Sequence, residues 1–353
     1  MRSQVTLFLG VFSVMALSNA IVPVLPAFAE ESAWQGVIYS AYFLGAVAST
    51  LPAGVLSDRY SRISLMRTGL ALTVISGLLL VLVAGPVPAL TARLLEGIGA
   101  GLFIPPALSC INREAEHEKM SGYFMALLNT GLVLGLLIAG FLATSLHETG
   151  SGLLFFTLLA TIPVITSLMI REPPASPAGA GHDLPAFLTL VRDYRWIWYS
   201  SIVLIGITGV ATSLYPEFSH APPDLVSIWI AGMSIATIVA VLLISRLSFD
   251  DILAIRISAV LMALGILVSF FSPAGFLVLG AVAGIVMIAQ MEYLSRLREH
   301  QGIAMGLFST TSYLGMAILP FLAGLVADMS GFFAAFCLTA VLALTVLITQ
   351  GRP

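Results

Sequence analysis

The placement of positive charge constrains this chain more than any other feature. Its fifteen Lys and Arg residues are Arg2, Arg59, Arg62, Arg67, Arg93, Arg113, Lys119, Arg171, Arg192, Arg195, Arg246, Arg256, Arg296, Arg298 and Arg352. Long apolar stretches lie between them. If those stretches are numbered as membrane spans, every cation except Arg93 falls at span ends on one face. The opposite face carries acids and histidines but no Lys or Arg. Basic residues are retained on the cytoplasmic side of a bilayer, so the asymmetry sets class and orientation together. The expectation is a multi-pass protein of the cell membrane with both termini cytoplasmic. The Glu30-Glu31 and His147-Glu148 loops are expected outside.

Composition points the same way. The chain is 59% hydrophobic and 9% charged, whereas a soluble domain is about a quarter charged. A net charge of −3 suggests no nucleic-acid partner. Cys110 and Cys337 give neither a disulfide framework nor a metal-ligand spacing. The first apolar stretch could mimic a signal peptide, but only further spans follow it.

A span needs about 20 apolar residues to cross the hydrocarbon. About twelve such stretches are expected: 5–28, 34–56, 64–84, 88–110, 120–146 and 153–170, then 196–215, 226–245, 252–271, 275–293, 302–326 and 332–349. The long polar stretch between the two sets, with Pro173, Pro174, Pro177, Gly179 and Gly181, reads as a flexible linker. Within it, Pro185 to Val191 is either a helix on the membrane surface or plain linker. The expected organisation is an N-terminal six-helix bundle over 1–170, a cytoplasmic linker over 171–195 and a C-terminal six-helix bundle over 196–353.

The two halves are weakly repeated. Phe141-Leu142-Ala143 in the fifth span matches Phe321-Leu322-Ala323 in the eleventh. At the same offset Gly122 meets Gly302, Leu134 meets Leu314 and Gly135 meets Gly315. Pro26-Ala27-Phe28 likewise aligns with Pro216-Glu217-Phe218. Internal repeats of this kind mark secondary transporters.

Two stretches carry the chemistry. The first is Gly54-Val55-Leu56-Ser57-Asp58-Arg59-Tyr60-Ser61-Arg62, between the second and third spans. An Asp-Arg pair just inside the interface can make charge-assisted bonds that a conformational change makes or breaks. The bland alternative is a loop of ordinary surface charges. The second is Arg93-Leu94-Leu95-Glu96-Gly97-Ile98-Gly99-Ala100-Gly101. Arg93 lies about 7 Å inside its span at about 1.5 Å per residue. A charge at that depth is costly and points to function. Glu96 sits three residues on, on the same helical face, and can pair with it. A purely structural ion pair is the alternative. Gly97, Gly101, Gly131 and Gly135 read as close helix packing.

These two stretches resemble motifs of the major facilitator superfamily. The first is similar to its loop G-x-L-x-D-R-x-G-R, matched at Gly54, Leu56, Asp58, Arg59 and Arg62, with Ser61 in place of glycine. The second is similar to R-x-x-Q-G-x-G-A of proton-coupled exporters, with Glu96 in place of glutamine. A glycine motif of drug antiporters is matched in part by Gly131, Gly135 and Gly140, with Leu136 where proline is usual. The resemblance implies an all-α membrane fold of about twelve transmembrane helices in two pseudo-symmetric halves. It implies a latch of Gly54, Asp58, Arg59 and Arg62 that closes the cytoplasmic side, with the aspartate near the start of the eleventh span. It assigns Arg93 and Glu96 to proton coupling or to the substrate's charge. The central cavity would be lined by spans one, four, seven and ten, making Asn19, Thr208, Tyr215 and Gln290 lining residues. For Asn19, an interhelical hydrogen bond and a substrate contact stay open.

No metalloprotease, Walker or nucleophile-elbow signature is present, so no enzyme activity, metal or cofactor is expected. The expected function is proton-coupled efflux of a small organic solute by alternating access, driven by the proton gradient. The alternatives are proton-coupled uptake of a small organic anion or metabolite, or an uncoupled receptor or scramblase. The expected partners are the substrate and the lipid bilayer, with a monomer as the functional unit.

Overall fold

The computed structural model describes residues 2–59, 61–111, 116–170, 184–244, 250–296 and 301–349. The described residues form helices throughout. In the first half these are α1 (Arg2–Ala20), α2 (Ser32–Arg59), α3 (Arg62–Leu82), α4 (Pro86–Ile111), α5 (His117–Leu146) and α6 (Ser151–Leu168). A short α7 (Leu184–Asp193) follows. The second half holds α8 (Arg195–Ser219), α9 (Pro223–Ile244), α10 (Asp251–Phe271), α11 (Gly275–Ser295), α12 (Gln301–Ser330) and α13 (Phe332–Thr349). Among the described residues, ten of these helices are long and apolar enough to cross a membrane.

Two of the shifts from the expected boundaries fall at proline. The first span does not run to Phe28 as one helix. α1 stops at Ala20, and Val22–Ala27 forms a 3-10 turn containing Pro23 and Pro26. Neither proline can donate to a carbonyl of the preceding turn, so the regular ladder fails there. By contrast, α8 runs through Pro216 to Ser219. In the linker, α7 takes up the stretch expected as either surface helix or coil. It is fixed at one point by the Trp198 indole, which donates to the Leu190 carbonyl at 3.0 Å.

The chain divides into two compact units. The first contains Met1–Ala29, Ala41–Ala180 and Ala221–Ser227, and the second Glu30–Ser40, Gly181–His220 and Ile228–Pro353. Helix α2 therefore begins in the second unit and continues in the first, and α9 does the reverse. The packing inside the units repeats. In the first, α1 packs on α5 and α6, and α3 on α4 and α6; in the second, α8 packs on α12 and α13, and α10 on α11 and α13. The glycines matched in sequence sit at matched crossings. A side chain on Gly135 would collide with the Ala16 carbonyl of α1, and one on Gly315 with the Ile202 carbonyl of α8. Exposed apolar side chains such as Leu158, Ile162 and Ile165 of α6 suit a surface solvated by lipid.

Both α3 and α10 begin with a side-chain cap. Asp250 accepts from the Leu253 amide at 2.8 Å, and Ser61 accepts from the Ser64 amide at 3.5 Å. Ser61 thus answers an orphan donor at a helix start, which the glycine usual in the resembling motif cannot do.

Candidate functional site

The break in α1 creates the centre of the first unit. A helix leaves its last four carbonyls without intrahelical partners. The carbonyl of Ser18 is one of these, and Arg93 of α4 donates to it through NH1 at 3.0 Å. A cation there also faces the negative end of the helix dipole. The same nitrogen meets Glu96 Oε2 at 2.5 Å. The guanidinium carbon lies 4.6 Å from the centroid of the Tyr42 ring of α2, a cation–π contact. Arg93 is 1% exposed and Glu96 0%. Three helices thus deliver one carbonyl, one carboxylate and one aromatic face to a single buried cation.

The cluster is not fully satisfied. Arg93 Nε and Glu96 Oε1 are buried without a hydrogen-bond partner. Burial favours the neutral form of a carboxyl, whereas a bonded arginine favours the charged form.

Glycine lets the helices come this close. A side chain on Gly97 would collide with the Tyr42 carbonyl, and one on Gly101 with the Ser49 hydroxyl. Gly45 of α2 lies in the same way against the Leu94 carbonyl. Across the α1–α5 crossing, Gly131 lies against the Phe12 carbonyl. Asn19 of α1 donates from Nδ2 to the Leu132 carbonyl of α5 at 3.0 Å.

The remaining residues expected to line a cavity are engaged within the second unit. Thr208 bonds to the Ile205 carbonyl of its own helix at 2.7 Å. Tyr215 is buried and stacks edge-on against Phe218, Trp229 and Phe276. Gln290 is fully buried; it donates from Nε2 to the Ser200 hydroxyl at 2.8 Å, and its Oε1 has no partner. Within the second unit, Thr208, Tyr215 and Gln290 are not joined to one another by these contacts.

In the loop motif, Arg62 opens α3. Gly54, Asp58 and Arg59 fall in the last turns of α2; their side chains, and Tyr60, lie outside the described residues.

Two features were missed in the sequence. One is Tyr42. The other is Asp328, at the opposite end of α2 from Asp58. There Asp328 of α12 accepts from the Ser32 amide at 2.9 Å and from the Ala33 amide at 2.8 Å. The Ser32 hydroxyl donates to Glu217 of α8 at 2.6 Å. A signal existed: Asp328 is a lone acid at a span end, four residues after Gly324.

Comparison with known proteins places the whole chain. The profile described as Major Facilitator Superfamily matches residues 7–317. Multidrug resistance protein 2 of Bacillus subtilis is 24% identical, covering 98% of this chain and 96% of the relative. The quinolone resistance protein NorA of Staphylococcus aureus is 24% identical, covering 93% and 91%. Among solved structures, a mutant of the nucleoside transporter NupG superposes with a TM-score of 0.81 at 14% identity, covering 98% of each chain. The human organic anion transporter MFSD10 superposes with a TM-score of 0.66 at 16% identity, covering 99% of each.

Proposed function

Because this chain belongs to the Major Facilitator Superfamily, we propose that it exports a small organic compound in exchange for protons. It is a multi-pass membrane transporter rather than an enzyme. The observation that carries the proposal is the buried Arg93–Glu96 pair, with one carboxylate oxygen left unbonded. A group that binds and releases a proton must have two comparably stable states. Here desolvation and the arginine oppose each other, so opening the cluster to water on one side can tip it. The curated relatives named for multidrug and quinolone resistance favour export. Arg93 already holds a carboxylate and a carbonyl, which disfavours a free counter-charge for an imported anion.

The loop of Gly54, Asp58, Arg59 and Arg62 serves in this reading as the cytoplasmic latch. In this reading both termini face the cytoplasm, which the cation asymmetry supports. Labelling an engineered cysteine at Glu31, after replacement of Cys110 and Cys337, checks that side: an impermeant reagent should reach it from outside intact cells.

The deciding experiment uses proteoliposomes with an imposed pH gradient and a lipophilic cationic dye. The wild type should accumulate dye against its gradient, and collapse of the pH gradient should abolish accumulation. Glu96→Gln should bind dye but lose gradient-driven accumulation. Full accumulation by that variant would reduce Glu96 to a structural partner of Arg93.

A further inference from the structure

The start of α2 is held in a way its own sequence does not provide for. The first amides of a helix have no intrahelical acceptors, and a Ser, Asp or Asn just before the helix usually supplies one. Here Glu30-Glu31 precede Ser32, yet the acceptor is Asp328, at the far end of α12. Its two oxygens take one amide each, from Ser32 and Ala33. A third bond, from the Ser32 hydroxyl to Glu217 of α8, anchors the same residue. Charge-assisted bonds to a helix N-terminus are strong for their size.

The surface beneath these bonds is smooth. A side chain on Gly324 of α12 would collide with the Ser32 carbonyl, and one on Gly36 of α2 with the Pro320 carbonyl. Backbone therefore lies directly on backbone, with no large side chain interlocked between the helices at these points. Such a contact separates without repacking a core. Asp328 is exposed, so water can replace the lost bonds at little cost when the helices part.

We infer that Asp328 is a conformational latch that holds the outer end of α2 against α12 and releases it once per transport cycle. The inference rests on alternating access and on the proposed orientation.

The test reads accessibility rather than transported solute, so its failure is distinct from a failure of proton-coupled export. Ser40 of α2 is buried, 2% exposed, two turns further along from the capped amides. In a chain lacking Cys110 and Cys337, Ser40→Cys is labelled from outside with an impermeant maleimide. Asp328→Asn should raise the labelling rate about fivefold or more, the effect of losing one charge-assisted contact from a two-state balance. An unchanged rate in a folded variant would overturn the latch. Should that variant fail to fold, Asp328→Glu decides by the same reading: it keeps the charge but moves it off the two amides, so the labelling rate should still rise, and an unchanged rate would overturn the latch.

Discussion

The two halves share a scaffold and differ in what they bury. In the first, α4 carries a cation and a carboxylate into the interior, tied to the broken end of α1 and to the Tyr42 ring. In the second, the corresponding helix α11 buries only a neutral amide, Gln290, bonded to Ser200 of α8. Glycine crossings recur in both: Gly97 lies against the Tyr42 carbonyl of α2, and Gly280 against the Met233 carbonyl of α9. Backbone geometry was thus kept through the repeat while polar content diverged. One helix, α4, buries a cation with a carboxylate; its counterpart α11 buries a neutral amide, and the buried carboxylate of the second half, Asp251, sits instead at the start of α10 against Arg296.

The largest effect should come from breaking the pair. Glu96→Ala leaves Arg93 buried without its carboxylate and should cost about 3–5 kcal/mol, measured by chemical unfolding in detergent micelles. The double variant Arg93→Met/Glu96→Leu makes the buried face of α4 neutral like that of α11. It should recover most of that stability while gradient-driven transport stays lost. Recovery of transport would dissolve the functional contrast between the halves.

Next in size is a test of the shared scaffold. Gly97→Val and Gly280→Val each drive a branched side chain into a facing carbonyl. Both should destabilise by about 1–3 kcal/mol, and by similar amounts, in thermal scans of the purified protein. A large disparity would show that the crossings are not equivalent.

The smallest effect belongs to the neutral amide of α11. Gln290→Leu removes one bond to Ser200 together with one unbonded buried oxygen. These oppose each other, so the net change should stay within about 1 kcal/mol, with transport largely retained. Loss of transport at unchanged stability would give Gln290 a role in the substrate path.

Much of the fold was legible because a bilayer demands long apolar runs and leaves cations at one set of ends. The break in α1 was only half legible: Pro23 and Pro26 were visible, but where the ladder would fail was not. The same residue type misled in the other direction at Pro216, which α8 accommodates. Within the site, Arg93 and Glu96 could be paired from spacing alone, three residues apart on one helix. The Ser18 carbonyl, 75 positions from Arg93, could not be, because any apolar span could have supplied it. Asp328 and Ser32 are 296 positions apart. A contact of that range depends on helix arrangement, to which residue spacing is blind.

The pairing of Arg93 with Glu96 also bears on how the protein is made. An arginine that entered the bilayer alone would resist insertion of its span. Glu96 is on the same helix, one turn away, so the two can neutralise each other as soon as that turn is helical. α1 precedes α4 in the chain, and its broken end is already synthesised when Arg93 arrives. The Ser18 carbonyl therefore precedes the cation and Glu96 follows it by three residues, so α4 need not wait for the second half of the protein to settle into the membrane.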